Sequence, residues 1–214
     1  FLPAQTNYLK VYKNNSVVYQ EEITAIDSII FVSIEYIEEE GVAINGIVWA
    51  TRNVGAPGTF VTNPEDAGMF YQWNRNVGWS ATDPMVNSNG GTTWNTSTPT
   101  GSTWEESNNV CPEGWRVPTL AELQNLINSE HEGTTINEVD GIIFGTEPNT
   151  IFLPAAGSRM YNVGLLDNVG TKGYYWSSTP YDSVNAYNLD FIYSGGGMFY
   201  NNRKYGISVR CVAE

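Results

Sequence analysis

Residues 111–123, CPEGWRVPTLAEL, decide how this chain is read. Thr119 and Glu122 form the S/T-x-x-E capping box, in which each side chain satisfies a free backbone amide of a helix's first turn. Leu120, Leu123, Leu126 and Ile127 then recur at helical spacing, so one face packs and the other is wet. The spacing predicts one clear helix over about 119–129. Cys111 heads the same stretch, and the second of the two cysteines, Cys211, lies in the closing run GISVRCVAE. Both sit among apolar and aromatic residues rather than histidines and carboxylates, which favours a buried crosslink over a metal or catalytic site. Two unpaired buried thiols are the alternative. A crosslink would place the protein outside the cytoplasm, and closing a loop of this length is worth roughly 4 to 5 kcal/mol in the chain-entropy model.

The 214 residues suffice for one sizeable core with a small appendage, so a disulfide would tune stability rather than create the fold. Acidic side chains number 23 against 10 basic, a net charge of −13, which disfavours nucleic acid and anionic membrane surfaces as partners. No apolar run approaches the ~20 residues that span a bilayer. The opening FLPAQTN has neither a basic n-region nor an initiating Met and reads as a mature or trimmed product, compatible with a secretion or lipid-anchor signal removed upstream.

Glycine (21 residues) and aromatics (13%) suit short strands joined by long structured loops. Tyr8 to Tyr12 and Val17 to Tyr19 flank the turn cluster Lys13 to Ser16 and predict a hairpin. The apolar run Ile26 to Ile34 and the acidic stretch Glu35 to Glu40 complete a β appendage over 1–40, ahead of a main domain over 41–214. Asn45-Gly46 between short apolar runs is a strong hairpin signal. Asn63-Pro64-Glu65-Asp66 has the chemistry of a short helix start, weakened by Gly68. Residues 79–109 set Trp79, Trp94 and Trp104 in Gly, Ser, Thr, Asn and Pro with no period, too long for an ordinary connection. Beyond the helix, six runs read as strands: 142–144, 151–153, 174–176, 186–191, 198–200 and 207–212.

The blocks INGIVWATRNVG, GMFYQWN, CPEGWRVPTLAELQNL, FLPAAGSR, GYYWSS and YGISVRCVAE occur in that order over residues 42–214. Together they resemble the Fibrobacter succinogenes major paralogous domain, a family of secreted and surface proteins of Bacteroidetes-like bacteria. WRVPTLAEL and YWSS also look like elements of formylglycine-generating enzymes and other members of the C-type-lectin-like superfold. The resemblance implies an α+β domain with a helix near its centre, a twisted antiparallel sheet and long variable loops, behind a short β module of surface lipoproteins. It does not carry the enzyme's chemistry over, because crosslinked cysteines leave no thiolate to bind copper.

His131, the single histidine, lies in a polar stretch past the helix and reads as a solvated helix-end residue. Glu105, Glu106, Glu130, Glu138, Asp140 and Glu147 are the right type for paired-carboxylate glycoside hydrolysis, but sequence does not show which of them face each other. Glu147-Pro148-Asn149 resembles the Ca²⁺-coordinating tripeptide of sugar-binding C-type lectins, making Glu147 and Asn149 candidate oxygen ligands. The second ligand run of those lectins is missing at its usual distance, and Asn188-Leu189-Asp190 is the nearest approximation. Trp79, Trp94, Trp104 and Tyr193 are placed by no apolar period and are candidate ligand contacts, with loop packing as the alternative. Trp49, Trp115 and Trp176 are expected in the core, and Arg116 as a structural donor. The reading that follows is a non-enzymatic bacterial surface or secreted protein binding glycan or protein through its loops. The alternatives are a structural subunit of a surface complex and a glycan-processing enzyme.

Overall fold

The computed structural model describes residues 8–13, 16–22 and 41–214. The chain divides into two compact units, 1–38 and 39–214. In the first, strands β1 (Tyr8–Lys13) and β2 (Ser16–Glu22) pair antiparallel, with a register shift between Val11 and Tyr12. The Ile26 to Ile34 run and the acidic stretch after it lie outside the described residues.

The second unit opens with β3 (Val42–Ile44) and β4 (Ile47–Trp49), joined by Asn45 and Gly46 at φ 50° and 82°. Both positions are left-handed, which only such residues occupy cheaply. Next come β5 (Met69–Tyr71) and β6 (Gly78–Ser80), then a long irregular stretch broken by a 3₁₀ turn at Glu106–Asn108. β7 (Trp115–Arg116) leads into α1 (Leu120–Ile127). The remainder is strand: β8 (His131–Ile136), β9 (Val139–Thr146), β10 (Asn149–Pro154), β11 (Ser158–Arg159), β12 (Leu166–Asp167), β13 (Lys172–Pro180), β14 (Asn185–Ile192), β15 (Gly195–Asn202) and β16 (Val212–Ala213).

This corrects the expected α+β class. Among the described residues strand makes up 41% and helix 6%, with one α-helix and several small antiparallel sheets, so the domain is close to all-β. The expectation weighted the helix too heavily. α1 is only eight residues long, and the chain leaves it at once for β8, a strand polar enough (His-Glu-Gly-Thr-Thr-Ile) to hide its extended state. His131 is therefore not a helix-end residue. It opens β8 opposite Phe144 of β9, with the two rings stacked at 5.5 Å. Nor does a helix form at Asn63: the Asp66 carboxylate accepts the Asn63 N–H at 2.9 Å and closes a turn. Gly68 follows at φ 73°, where a Cβ would meet the Val54 carbonyl at 2.2 Å.

The capping box on α1 is present in both halves, with Thr119 N–H donating to Glu122 Oε2 at 2.7 Å and Glu122 N–H to Thr119 Oγ1 at 3.3 Å. Leu123, Leu126 and Ile127 are buried and pack with Trp49, Phe144 and Phe191 in one core. A second core gathers Trp73, Trp104, Trp176, Val209 and the two cysteines. The three-stranded sheet β13-β14-β15 separates them, since successive residues of a strand face opposite ways: Tyr175 and Leu189 enter the first core, Trp176 and Ala186 the second.

Cys111 and Cys211 form the disulfide, with Cα atoms 6.1 Å apart. β16 lies between β4 and β7, pairing Val212 with both Trp49 and Arg116, so the last strand runs against the entrance to the capped helix. Trp49 and Trp176 are fully buried and Trp115 partly so.

Candidate functional site

Irregular backbone between residues 50 and 110 is held by side chains. Leaving β5, Gln72 is 1% exposed, and its amide nitrogen donates to the carbonyls of Asn95 (2.7 Å) and Lys204 (2.9 Å). That pins the middle of the long loop to the strand. Asn74 donates to Thr100 O (2.8 Å) and accepts from the Glu105 N–H (2.8 Å) and the Asn108 amide (3.2 Å), fixing the loop's far end. Arg75 donates to Ser97 O and Oγ, and Asn87 Oδ1 closes the 87–91 turn by accepting from Asn89 and Gly91.

Beneath the loop, Trp79 and Trp94 pack at 4.8 Å, and the Trp94 indole donates to Tyr161 O. Trp104 packs on Trp73 at 6.1 Å and donates to Asn108 O. Exposures of 2%, 7% and 8% leave Trp79, Trp94 and Trp104 little ring face for stacking on a sugar, so their visible work is holding the loop. Tyr193 differs: it is 55% exposed in the β14–β15 turn, and its carbonyl packs over Gly133, where no side chain would fit.

The pinned loop borders an open cleft of about 370 Å³ lined by Gln72, Arg75, Asn76, Val77, Trp79 and Asn89, with further asparagines and a threonine. Its chemistry is mixed: amides, a hydroxyl, one cation and no carboxylate, beside an apolar part supplied by Val77 and Trp79. Burial pulls the Arg75 guanidinium down from its usual pKa. The Gln72 side-chain nitrogen is fully used by its two carbonyl acceptors, which fix the orientation of the carboxamide. Asn76 and Asn89 are exposed at the rim. The cleft residues other than Trp79 were not singled out by sequence; the available signal was the density of asparagine through 74–109.

The remaining candidates fall elsewhere. A hollow of about 420 Å³ brings Glu130, His131, Glu132 and Glu147 together beside the β9–β10 turn. Glu147 and Asn149 flank that turn, whereas Asn188 and Asp190 belong to β14 in another sheet, with Asn188 Oδ1 taken by Asn201. Burial pushes the Asp190 carboxyl up. Among the described residues no group of three or more His, Cys, Asp or Glu is placed to hold a metal ion. Glu105 and Glu106 line a third hollow of about 330 Å³ with Trp104 and Arg116. Asp140 accepts the Thr135 hydroxyl on the β8–β9 hairpin, whose turn contains Glu138 at φ 67°. Arg116 is a structural donor: it grips Glu122 through two bonds of 2.9 and 2.6 Å.

Fold and cleft together define a disulfide-closed, mostly β domain that displays a pinned loop. The chain belongs to the Lcl C-terminal domain family, whose model matches residues 46–213, and this is a bacterial surface-associated family. The match identifies neither the Fibrobacter family nor the C-type-lectin-like superfold. Neither the curated proteins nor the solved structures hold a match to the chain. Family and disulfide are consistent with an extracellular or surface location, and no helix among the described residues is long and apolar enough to cross a membrane.

Proposed function

We propose that this chain is a non-enzymatic binding domain of a surface protein and that it takes a neutral glycan in the amide cleft. The observation that carries the reading is the gathering of asparagine and glutamine side chains, with a threonine hydroxyl and no carboxylate, on the wall of a cleft whose loop Gln72 pins in place. A saccharide presents many hydroxyls that both donate and accept, and an amide wall can answer both. The net charge of −13 argues against anionic sugars. With no carboxylate in the cleft, the acid–base pair of a glycoside hydrolase has no place there. The order of sequence blocks keeps a relation to the Fibrobacter family as part of this proposal.

The test is titration of the full chain against a panel of neutral oligosaccharides, beside Asn76→Ala and Asn89→Ala, two rim residues that hold no loop carbonyl. Losing one such hydrogen bond is expected to weaken binding about tenfold. No binding across the panel, or binding indifferent to both changes, would sink the reading.

An assembly role is favoured by a different observation. Tyr161, Val163 and Leu165, between 37% and 60% exposed, fall within the short β11–β12 loop. No glycan binding, together with self-association of the chain that Val163→Asp and Leu165→Asp abolish in sedimentation, would favour that role instead.

A further inference from the structure

The turn joining β13 to β14 carries Tyr181, and its backbone is tightly fixed. Tyr181 N–H donates to Asn185 O at 3.0 Å, while Asp182 Oδ1 accepts from Val184 N (2.7 Å) and Asn185 N (2.6 Å). Tyr200 comes from the neighbouring strand β15, paired with Tyr187 of β14. The rings of Tyr181 and Tyr200 stack with centroids 4.0 Å apart and planes only 4° from parallel, and Tyr187 stands edge-on to Tyr181 at 5.3 Å. Both stacked rings are about half exposed, at 47% and 52%. The Tyr200 phenol, ahead of burial, Tyr187 and Asp182, pushes the Tyr181 phenol up. Rings stacked at 4.0 Å and nearly parallel bring the ring carbons of one side chain into contact with those of the other.

We propose that Tyr181 and Tyr200 are a dityrosine crosslinking site, joined by a bond between their ortho carbons when the protein meets a haem peroxidase and hydrogen peroxide. Each phenol gives one electron and one proton to the peroxidase, leaving two phenoxyl radicals. The radicals couple carbon to carbon, and the ring hydrogens at the joined carbons return to the oxygens. The net change is loss of two hydrogen atoms from the protein and reduction of one hydrogen peroxide to two waters. Stacking presents the two radical faces to each other for the first bond, and rearomatisation then swings the rings until that bond lies in both ring planes, a movement open to two half-exposed side chains.

The crosslink complements the disulfide. Cys111 and Cys211 tie the loop region to the last strand, whereas β15 is an edge strand whose backbone ladder runs to β14 alone and which has no covalent tie. The new bond would fasten that edge to the β13–β14 turn. The chain supplies its own comparator: Tyr161 and Tyr205 also touch, but at 5.3 Å and with planes at 56°. This inference is independent of what the cleft binds.

The experiment is brief exposure of the full chain, at dilution that suppresses collisions between molecules, to a haem peroxidase with stoichiometric hydrogen peroxide. The expected result is a monomer lighter by two hydrogen atoms, showing the blue fluorescence of dityrosine. Cleavage before Asp182 and Asp190 separates the two tyrosines, so fragmentation should show them joined. Tyr181→Phe and Tyr200→Phe keep the ring stack but remove the phenol, and each should abolish the product, while Tyr161→Phe leaves its yield unchanged. An unchanged mass, covalent dimers in place of the monomer product, a link between other tyrosines, or full yield in Tyr181→Phe would each overturn the proposal.

Discussion

The sheet of β13, β14 and β15 and the loops between residues 50 and 110 belong to one folding unit but are held by different means. β14 and β15 run in register from Asn185 opposite Asn202 to Ile192 opposite Gly195, so the backbone ladder does the holding. The loops have almost no ladder, and individual buried side chains reach for their carbonyls instead. Arg159, fully buried, donates to Ser80 O, Thr82 O and Gly164 O. Arg203 lies over Trp73 at 4.1 Å and donates to Gly101 O, Asn185 O and Asp182 O. A backbone ladder survives most substitutions because every residue supplies the same groups, but a side-chain clamp is lost with one codon. The loop geometry, and the amide cleft with it, is therefore the part of this domain that point changes can reshape while the sheets persist.

Removing the disulfide tests that contrast most severely. Reduction, or Cys111→Ala with Cys211→Ala, is expected to cost roughly 4 to 5 kcal/mol in urea unfolding, from the entropy of the loop it closes. The crosslink ends in the core that also holds Trp73 and Trp104, so hydrogen exchange in the loops should rise before exchange in β14. Equal loss of protection in both regions would show one cooperative unit and dissolve the distinction.

A narrower probe is Arg159→Met, which keeps much of the volume and deletes the donors. The buried Gly164 carbonyl and the half-buried Ser80 carbonyl lose their partner together, while the exposed Thr82 can turn to water, and a loss of about 3 kcal/mol is expected from the desolvation of the first two. The salt bridge to Asp83 (3.2 Å) adds little, because that carboxylate is 63% exposed. Asn201→Ala, which removes one side-chain bond on β15 while leaving the ladder intact, should cost no more than about 1 kcal/mol. Similar losses for the two variants would mean that the sheet depends on side chains as heavily as the loops do.

The same difference decides what was legible in the sequence. Elements set by local chemistry could be read: the Asn45-Gly46 turn, the capping box, the pairing of β1 with β2 and the apolar runs of β9, β10, β13, β14 and β15. The cysteine pair could be read too, since both partners stand in apolar surroundings. β8 could not, because a strand lying against Phe144 through a histidine has no apolar alternation to betray it. The cleft was hidden for another reason. Gln72 pairs with Asn95 and Lys204, and Asn74 with Thr100 and Asn108, over separations that no local pattern encodes. Trp79, Trp94 and Trp104 drew notice as aromatics in a polar loop, yet they sit inside it, and the groups facing the cleft are the ordinary amides around them.

An effect of the same small size is expected at the helix entrance. Glu122 accepts from both Arg116 nitrogens and from the Thr119 amide and hydroxyl. Burial alone would raise the Glu122 carboxyl, but the Arg116 and Thr119 donors outweigh it and hold its pKa below the usual carboxylate value. The unfolded chain therefore binds this proton at higher pH than the folded one does. The stability that Glu122 contributes is complete above the ordinary carboxylate range and is lost as pH falls through the depressed folded value. Glu122→Gln should cost about 1 kcal/mol at neutral pH, the ordinary worth of a cap, because the Arg116 side chain is 40% exposed and solvent screens the pair. The gap between parent and variant should then close on acidification, measured as urea midpoints from neutral pH downward. The other carboxylates, including Asp190 with its shift of opposite sign, titrate in both proteins and cancel from the difference. A gap that stays constant with pH would assign the capping box to geometry alone, and a gap that widens in acid would reverse the sign derived from the Arg116 contact.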